Sequence, residues 1–591
     1  MNREKIDKKY KWDLSKIYGS IEEFNKDYDL VVNNSKKIRE YNGIKLDSKS
    51  LYSMLELSMN TSRVLEKLYA YANLLSDMDT SNTDSMALRE RVMNLYHVYS
   101  RSSYFVDTKI LRLKKGELNS FYRENPKLLE YKIMIDKLYR YKKHLLSDKE
   151  EKLLSEFGRM LGNNYDTYEL FKDCDMNFPS FSVNDKEYKL DNSTYSLYME
   201  SDNREVRETA FKNLYSMYKQ YKNVYASLIS SNIKENCTIA KVKRYSSSIE
   251  ASLYRDELDI KIYDNLIDSV HRNMSFIHKY YKMKKEILGV KELHLYDVYA
   301  PLTKESSKKY EYEDAKKIVI DVLSIFGSDY VNTLKFGIEN WIDVYPSPAK
   351  RTGGYSGGAY DTYPYILLNY QDKYNDMSTL IHELGHSMHS YYARKSNPYQ
   401  YGDYAIFVAE VASTVNELLL AKYMLANSKN KQEKLAIFDK LMELYRATIY
   451  RQTMFAEFER DIYNNIENDL PLTSDILCEK YYKLNKEYFG NDVIIDEEIK
   501  YEWERIPHFY YDFYVYKYSI GLSVATYIVN GLLNGSIKNT DYIKFLSCGR
   551  TLNPVDSLKL TKVNVMDKEV VDSALIEFNG IVDEFYKLYK E

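Results

Sequence analysis

Residues 376–393 read Asp-Met-Ser-Thr-Leu-Ile-His-Glu-Leu-Gly-His-Ser-Met-His-Ser-Tyr-Tyr-Ala. Leu380, Leu384 and Met388 recur every four residues, the spacing of one buried stripe on an α-helix. His382 and His386 are also four apart, so they leave that helix on one face, one turn from each other. Two imidazoles placed so can converge on one ion. Glu383 is offset around the helix and can reach a metal-bound water without being a ligand. Zinc in a catalytic site takes three protein ligands and keeps one position open, and it lowers the pKa of the water held there toward 7. The stretch therefore predicts a helix that is both a core element and the seat of metal-assisted hydrolysis. Gly385 sits inside this helix although Gly costs about 1 kcal/mol against Ala there. Its place beside the proposed metal predicts a close approach by something.

A third ligand is needed. The chain has nine histidines, and His389 is the nearest to the pair. It shares their face but lies seven residues from His382, roughly 10 Å along the helix axis. One ion cannot easily take all three, so His389 is assigned a supporting or core role. Residues 405–420, Ala-Ile-Phe-Val-Ala-Glu-Val-Ala-Ser-Thr-Val-Asn-Glu-Leu-Leu-Leu, read as a buried helix. Glu410 has no Lys or Arg within four residues. An ionised carboxylate among apolar neighbours is costly unless paired or metal-bound. Glu410 is therefore expected as the third ligand. Glu417, seven residues on, either orients a ligand histidine or is a partly exposed helix residue.

Upstream, residues 349–370 hold Gly353, Gly354, Gly357 and Gly358, four of the chain's 20 glycines, and then a strand-like run Tyr365–Leu368. A phosphate loop would need Gly-Lys-Ser/Thr entering a helix, and that is absent. The glycines mark a turn and bulge between strands, or an edge whose bare backbone pairs with an extended peptide. The second reading makes Gly353, Gly354, Tyr355, Gly357 and Gly358 substrate-binding.

The rest of the chain is helical in pattern. Apolar residues recur at three- and four-residue intervals through 20–170, as in Leu51, Leu55, Val64, Leu65 and Leu68, and again through 193–290;. Between them Phe181, Val183, Asn184-Asp185, Tyr188 and Leu190 look like a small β hairpin with an Asn-Asp turn. Twenty glycines and 10 prolines are few for 591 residues, which argues against an all-β protein and for long helices;. Two or three lobes are expected, with a boundary near 175–200. The net charge of −3, with 84 basic and 87 acidic residues spread along the chain, gives no field favouring nucleic acid or an anionic membrane;. Four scattered cysteines form no disulfide framework;. The first 14 residues lack the apolar core of a signal peptide, and the longest apolar stretch, Tyr518–Leu533, is shorter than a membrane span and broken by Ser, Gly and Asn;. A soluble cytoplasmic protein is the expectation.

At these residues the chain resembles the oligoendopeptidase F group of thimet oligopeptidase-like zinc peptidases. The most specific segments are His382-Glu383-Leu384-Gly385-His386-Ser387-Met388-His389 and Phe407-Val408-Ala409-Glu410-Val411-Ala412-Ser413-Thr414. Trp12-Asp13-Leu14, Tyr360-Asp361-Thr362 and Leu367-Leu368-Asn369-Tyr370 add to it, so the likeness covers nearly the whole chain. It implies a mostly α, two-lobed metallopeptidase with a deep substrate channel and a small β element beside the zinc-binding helix. Residues 1–190 would form an N-terminal helical lobe, part of the channel wall or a lid, and 191–591 the catalytic domain. The resemblance gives His382, His386 and Glu410 as ligands of one Zn2+ per chain, Glu383 as general base, and short unstructured oligopeptides as substrates cut at internal bonds. It also implies a C-terminal His and Tyr segment that supports the reacting carbonyl, here His508 first, then Tyr514, Tyr511 and Tyr516.

Two rival readings share these features. A carboxypeptidase or dipeptidyl carboxypeptidase on the same helical framework looks alike at the zinc, and peptides blocked at both ends separate it from an endopeptidase. A silent peptide-binding protein is the other, and the intact Glu383 argues against it.

Overall fold

Helix formation follows the capping residues that the sequence carries. Ser20, Asp47 and Asn82 each accept a hydrogen bond from a first-turn backbone N–H, and they open the helices Ile21–Glu40, Ser48–Met78 and Thr83–Ser103;. The apolar stripes of these helices meet in one core that buries Phe24, Val31, Leu65, Leu68, Leu74, Val92 and Leu95. The computed structural model describes residues 2–158, 160–303 and 308–591. The chain is mostly helical, as its scarcity of glycine and proline requires, with three small sheets among the described residues.

The contacts divide into two compact units. The first comprises Met1–Leu145, Lys308–Leu420 and Val529–Lys562; the second comprises Leu146–Ser307, Ala421–Ile528 and Val563–Glu591. This partition differs from a linear division at residue 190, because the chain returns to each unit twice. The segment expected as a hairpin lies inside the second unit and forms as read: Phe181–Val183 pairs antiparallel with Lys186–Tyr188. Asn184 and Asp185 turn it with φ of 51° and 60°. Two left-handed residues make the turn whose twist matches a two-residue hairpin, and Asn and Asp tolerate that region best after Gly.

In the first unit, three strands form a sheet in the order Ile342–Asp343, Tyr365–Leu367, Tyr355–Gly357. The first pair is parallel and the second antiparallel. The middle strand is buried throughout, which suits its Tyr-Ile-Leu sequence;. The indole N–H of Trp12 donates to the carbonyls of Trp341 at 2.8 Å and Ile366 at 2.9 Å, so the start of the chain is pinned to this sheet. Arg3 and Lys350 both pair with the buried Asp343 beside it. The helix Tyr374–Ser396 packs on the two strands of this sheet that follow Asp343.

In the second unit, the helix Arg204–Val242 runs 39 residues, about 58 Å at the helical rise. It packs on the turns of Glu497–Arg505 and on the helix Arg451–Glu467. Glu502 is buried there and accepts from Arg451, Tyr215 and Tyr481. A buried carboxylate paired and hydrogen-bonded in this way is tolerated where a bare one would not be. The apolar stretch around Tyr518–Leu533 belongs to the helix Tyr516–Asn534. No helix among the described residues is long and apolar enough to cross a membrane.

Candidate metal centre

The helix Tyr374–Ser396 starts where Asp376 accepts the backbone N–H groups of Gln371 and Lys373. Its buried stripe is Met377, Leu380, Ile381, Leu384 and Met388, all without exposed surface. Burying that stripe fixes the rotation of the helix and turns His382 and His386 to the opposite side. Their Nε2 atoms stand 3.2 Å apart. Glu410 Oε2 lies 3.6 Å from the first and 3.4 Å from the second. Ligand atoms at 2.0–2.1 Å around a tetrahedral zinc stand about 3.3 Å from one another. The three side chains thus already have the spacing that such an ion imposes. Among the described residues no other group of three His, Cys, Asp or Glu side chains converges in this way.

Gly385 explains how the two ligand helices come together. A Cβ built there would meet Ser413 Cα at 2.6 Å, Ala412 O at 2.7 Å and Ser413 N at 2.8 Å. The something that approaches Gly385 is therefore the backbone of the helix Ala409–Asn427. Asn416 Nδ2 ties the same two helices by donating to the Ile381 carbonyl at 2.9 Å.

Glu410 differs from its expected setting. It stands in the first turn of its helix, not in the middle of a buried one, and its side chain is 55% exposed. Residues 406–408 form a separate 3-10 turn before it. A carboxylate in a first helical turn is favoured by the helix dipole, which removes the need for burial to explain it. His386 beside it, and then Ser413, which donates to Oε2 at 2.9 Å, hold its carboxyl at about 2. It is ionised at neutral pH, as a ligand must be.

Glu417 is hydrogen-bonded to His382. His382 Nδ1 donates to Glu417 Oε1 at 2.7 Å, which leaves Nε2 with its lone pair toward the cluster;. His389 is buried, stacked on Tyr404 at 3.7 Å and packed on Phe545, and it is not among the converging ligands. Glu383 is nearly enclosed and its Oε2 has no hydrogen-bond partner. Burial raises its pKa above the usual carboxylate range, against the pull of His382 and His386 and of a hydrogen bond from the Ser356 backbone. A carboxyl with raised affinity for protons is chemically able to accept one from water. Ser356 was not singled out in the sequence. It sits in the strand Tyr355–Gly357, its hydroxyl 2.8 Å from that of Ser387 on the histidine helix.

The glycine segment surrounds that strand, which is the edge of the sheet; Tyr365–Leu367 is the middle strand and offers no free edge. Gly353 has φ of +83°. A Cβ would come within 2.8 Å of Thr379 at Gly354 and within 2.4 Å of the Tyr363 carbonyl at Gly358, while at Gly357 it would rest 3.3 Å from the Tyr355 ring. Tyr355 itself donates to Asp77 Oδ2 at 2.7 Å. The turn reading of the glycines accounts for Gly353, Gly354 and Gly358, and Tyr355–Gly357 is an edge strand of the sheet.

The C-terminal candidates lie in the second unit. His508 belongs to the 3-10 turn Pro507–Tyr510. Tyr511 and Tyr514 flank it, with ring centroids 5.5 and 6.4 Å from the imidazole. Burial lowers the His508 pKa, so the ring is neutral at neutral pH and carries one N–H. Tyr516 does not join this group: it is fully buried with its ring on Tyr263. Tyr518 does join it, its hydroxyl 3.3 Å from His508 Nε2. Its four-residue step from Tyr514 was the available signal, hidden among 62 tyrosines.

Comparison with known proteins gives the family. Residues 197–576 match the model of Peptidase family M3, and residues 109–178 match that of Oligopeptidase F. The chain belongs to peptidase family M3. Oligopeptidase PepF of Bacillus subtilis (strain 168) is 39% identical over 98% of this chain and 87% of its own. A crystal structure from Chlamydophila abortus superposes with a TM-score of 0.92 at 33% identity over 99% of both chains. The oligoendopeptidase-F structure from Enterococcus faecium has a TM-score of 0.75 at 31% identity, over 96% of this chain and 99% of that one. This M3 peptidase thus has peptides as its substrate class and the mostly helical fold of its relatives.

Proposed function

We propose that this M3 peptidase is a zinc-dependent endopeptidase that cuts internal bonds of short unstructured peptides. The observation that carries the reading is the convergence of His382 Nε2, His386 Nε2 and Glu410 Oε2 at 3.2–3.6 Å. Bound there, Zn2+ supplies a Lewis acid that acidifies water and draws charge from the scissile carbonyl. Glu383 takes the proton of the attacking water and hands it to the departing amine. Glu417 holds the imidazole of His382 in the tautomer that ligates. His508 and Tyr514 donate hydrogen bonds to the carbonyl oxygen as it gains charge, with Tyr511 as a further donor. Tyr516, enclosed against Tyr263, is left out of that set. The edge strand Tyr355–Gly357 aligns the substrate backbone by main-chain pairing. The names of the relatives support the choice of endopeptidase over an exopeptidase.

The test uses a peptide of roughly ten residues blocked at both ends, an order of length suited to strand pairing. Purified protein should carry about one zinc per chain, cut the blocked peptide internally, lose activity to a chelator and regain it on adding zinc. Full activity in metal-free protein would end the metal reading. Failure on blocked peptides with cleavage of unblocked ones would favour an exopeptidase.

A further inference from the structure

Between His508 and the helix Tyr516–Asn534 the backbone makes a corner of two consecutive left-handed residues, Asp512 and Phe513, each with φ of 56°. Asp tolerates that region, but a bulky residue such as Phe rarely enters it, so the corner persists only if its surroundings hold it. They grip it at four points. The Phe513 N–H donates to Glu459 Oε1 at 2.8 Å. Ser252 Oγ donates to the Asp512 carbonyl at 2.6 Å, and Arg255 Nη2 donates to Asp512 Oδ2 at 2.7 Å. The Phe513 ring packs on Tyr463 at 4.4 Å.

Glu459 is the unusual member. It lies in the helix Arg451–Glu467, has no exposed surface, and its Oε2 has no hydrogen-bond partner. A fully buried carboxyl with a single hydrogen bond is costly. Burial drives its pKa well above the carboxylate range. Its one protein hydrogen bond is spent on the strained peptide. That peptide separates Tyr511 from Tyr514, the two rings that flank His508.

We infer that Glu459 is a positioning residue: by locking the Asp512–Phe513 corner it sets the placement of His508, Tyr511 and Tyr514 as donors to the reacting carbonyl. The inference rests on the donor reading of His508 proposed above. A donor must meet the developing oxyanion within a narrow geometry, and a displacement of about 1 Å can cost on the order of 10²-fold in rate. Glu459 acts through the corner and touches no substrate.

The experiment measures kcat, KM, zinc content and melting temperature for E459L, E459Q, H508A and the double variant E459L/H508A. E459L keeps the side-chain bulk and removes the acceptor; kcat is expected to fall about 10- to 100-fold with KM and zinc within about threefold. E459Q keeps a carbonyl acceptor and should restore kcat to within about threefold of the parent. In the H508A background, E459L should lower kcat by less than it does in the parent, because one of the three donors it positions is gone. If E459L does not fold, Ser252→Ala releases the same corner from its other side, and its kcat should fall about three- to tenfold. Normal kcat in folded E459L or, in its place, S252A, or multiplying effects of E459L and H508A, would overturn the inference. The donor reading fails separately, by normal kcat in H508A alone, and the inference falls with it.

Discussion

The His382–Glu410 centre and the His508–Tyr518 segment are built by opposite means. The first is made by regular helices. A four-residue step aims two histidines at one point, and a glycine lets a second helix bring in Glu410. The second is made where regular structure stops. A 3-10 turn and a left-handed corner arrange three aromatic side chains around a histidine, and buried groups from elsewhere in the chain hold the backbone there. A helix converts sequence spacing directly into geometry; an irregular corner does not. The difference teaches which part of a site can be read from residue spacing and which needs tertiary contacts.

The sharpest break would come at Glu383. Glu383→Gln removes the base and leaves the three ligand atoms, so turnover should fall about 10²- to 10⁴-fold while zinc content stays near the parent level. Metal analysis beside kcat checks both halves. Metal loss equal to that of Glu410→Gln would erase the distinction between base and ligand.

His508→Ala tests the other region. Loss of a donor aimed at the oxyanion costs about 10²- to 10³-fold in kcat, and KM should hardly change because the ground-state carbonyl gains little from the donor. If His508 only packs among Tyr511, Tyr514 and Tyr518, the melting temperature falls instead and kcat stays near normal in the folded protein.

Smaller effects sharpen the contrast. Glu417→Gln weakens the orientation of His382 and should lower metal affinity about 10- to 100-fold, read by zinc competition with a chelator. Unchanged affinity would make Glu417 a bystander. Gly385→Ala forces a methyl into the backbone of Ser413, an overpacking that costs about 1–3 kcal/mol. The melting temperature should drop and zinc should bind more weakly. A fully stable G385A would mean that the helices can part without consequence.

Much of the fold was legible in the sequence. The helical periodicity, the hairpin with its Asn184-Asp185 turn and the strand before the histidine helix all form. These depend on local spacing and turn chemistry, which the chain carries in short segments. Glu410 lacks the burial that its apolar neighbours in the sequence imply; its first-turn position depends on where the 3-10 turn at 406–408 ends. Tyr516 and Tyr518 could not be told apart by composition, because the corner at 512–513 sets the phase of the helix that follows. Glu459 and Ser252 were invisible for the same reason. They lie 54 and 260 residues from the backbone groups they hold.

The central claim is that His382, His386 and Glu410 hold one zinc. Diffraction from crystals of the purified protein, recorded on both sides of the zinc absorption edge, tests it most directly. One strong anomalous peak per chain is expected, about 2.0–2.2 Å from His382 Nε2, His386 Nε2 and Glu410 Oε2. A peak bound by other residues, or none in protein that is fully active, would contradict it.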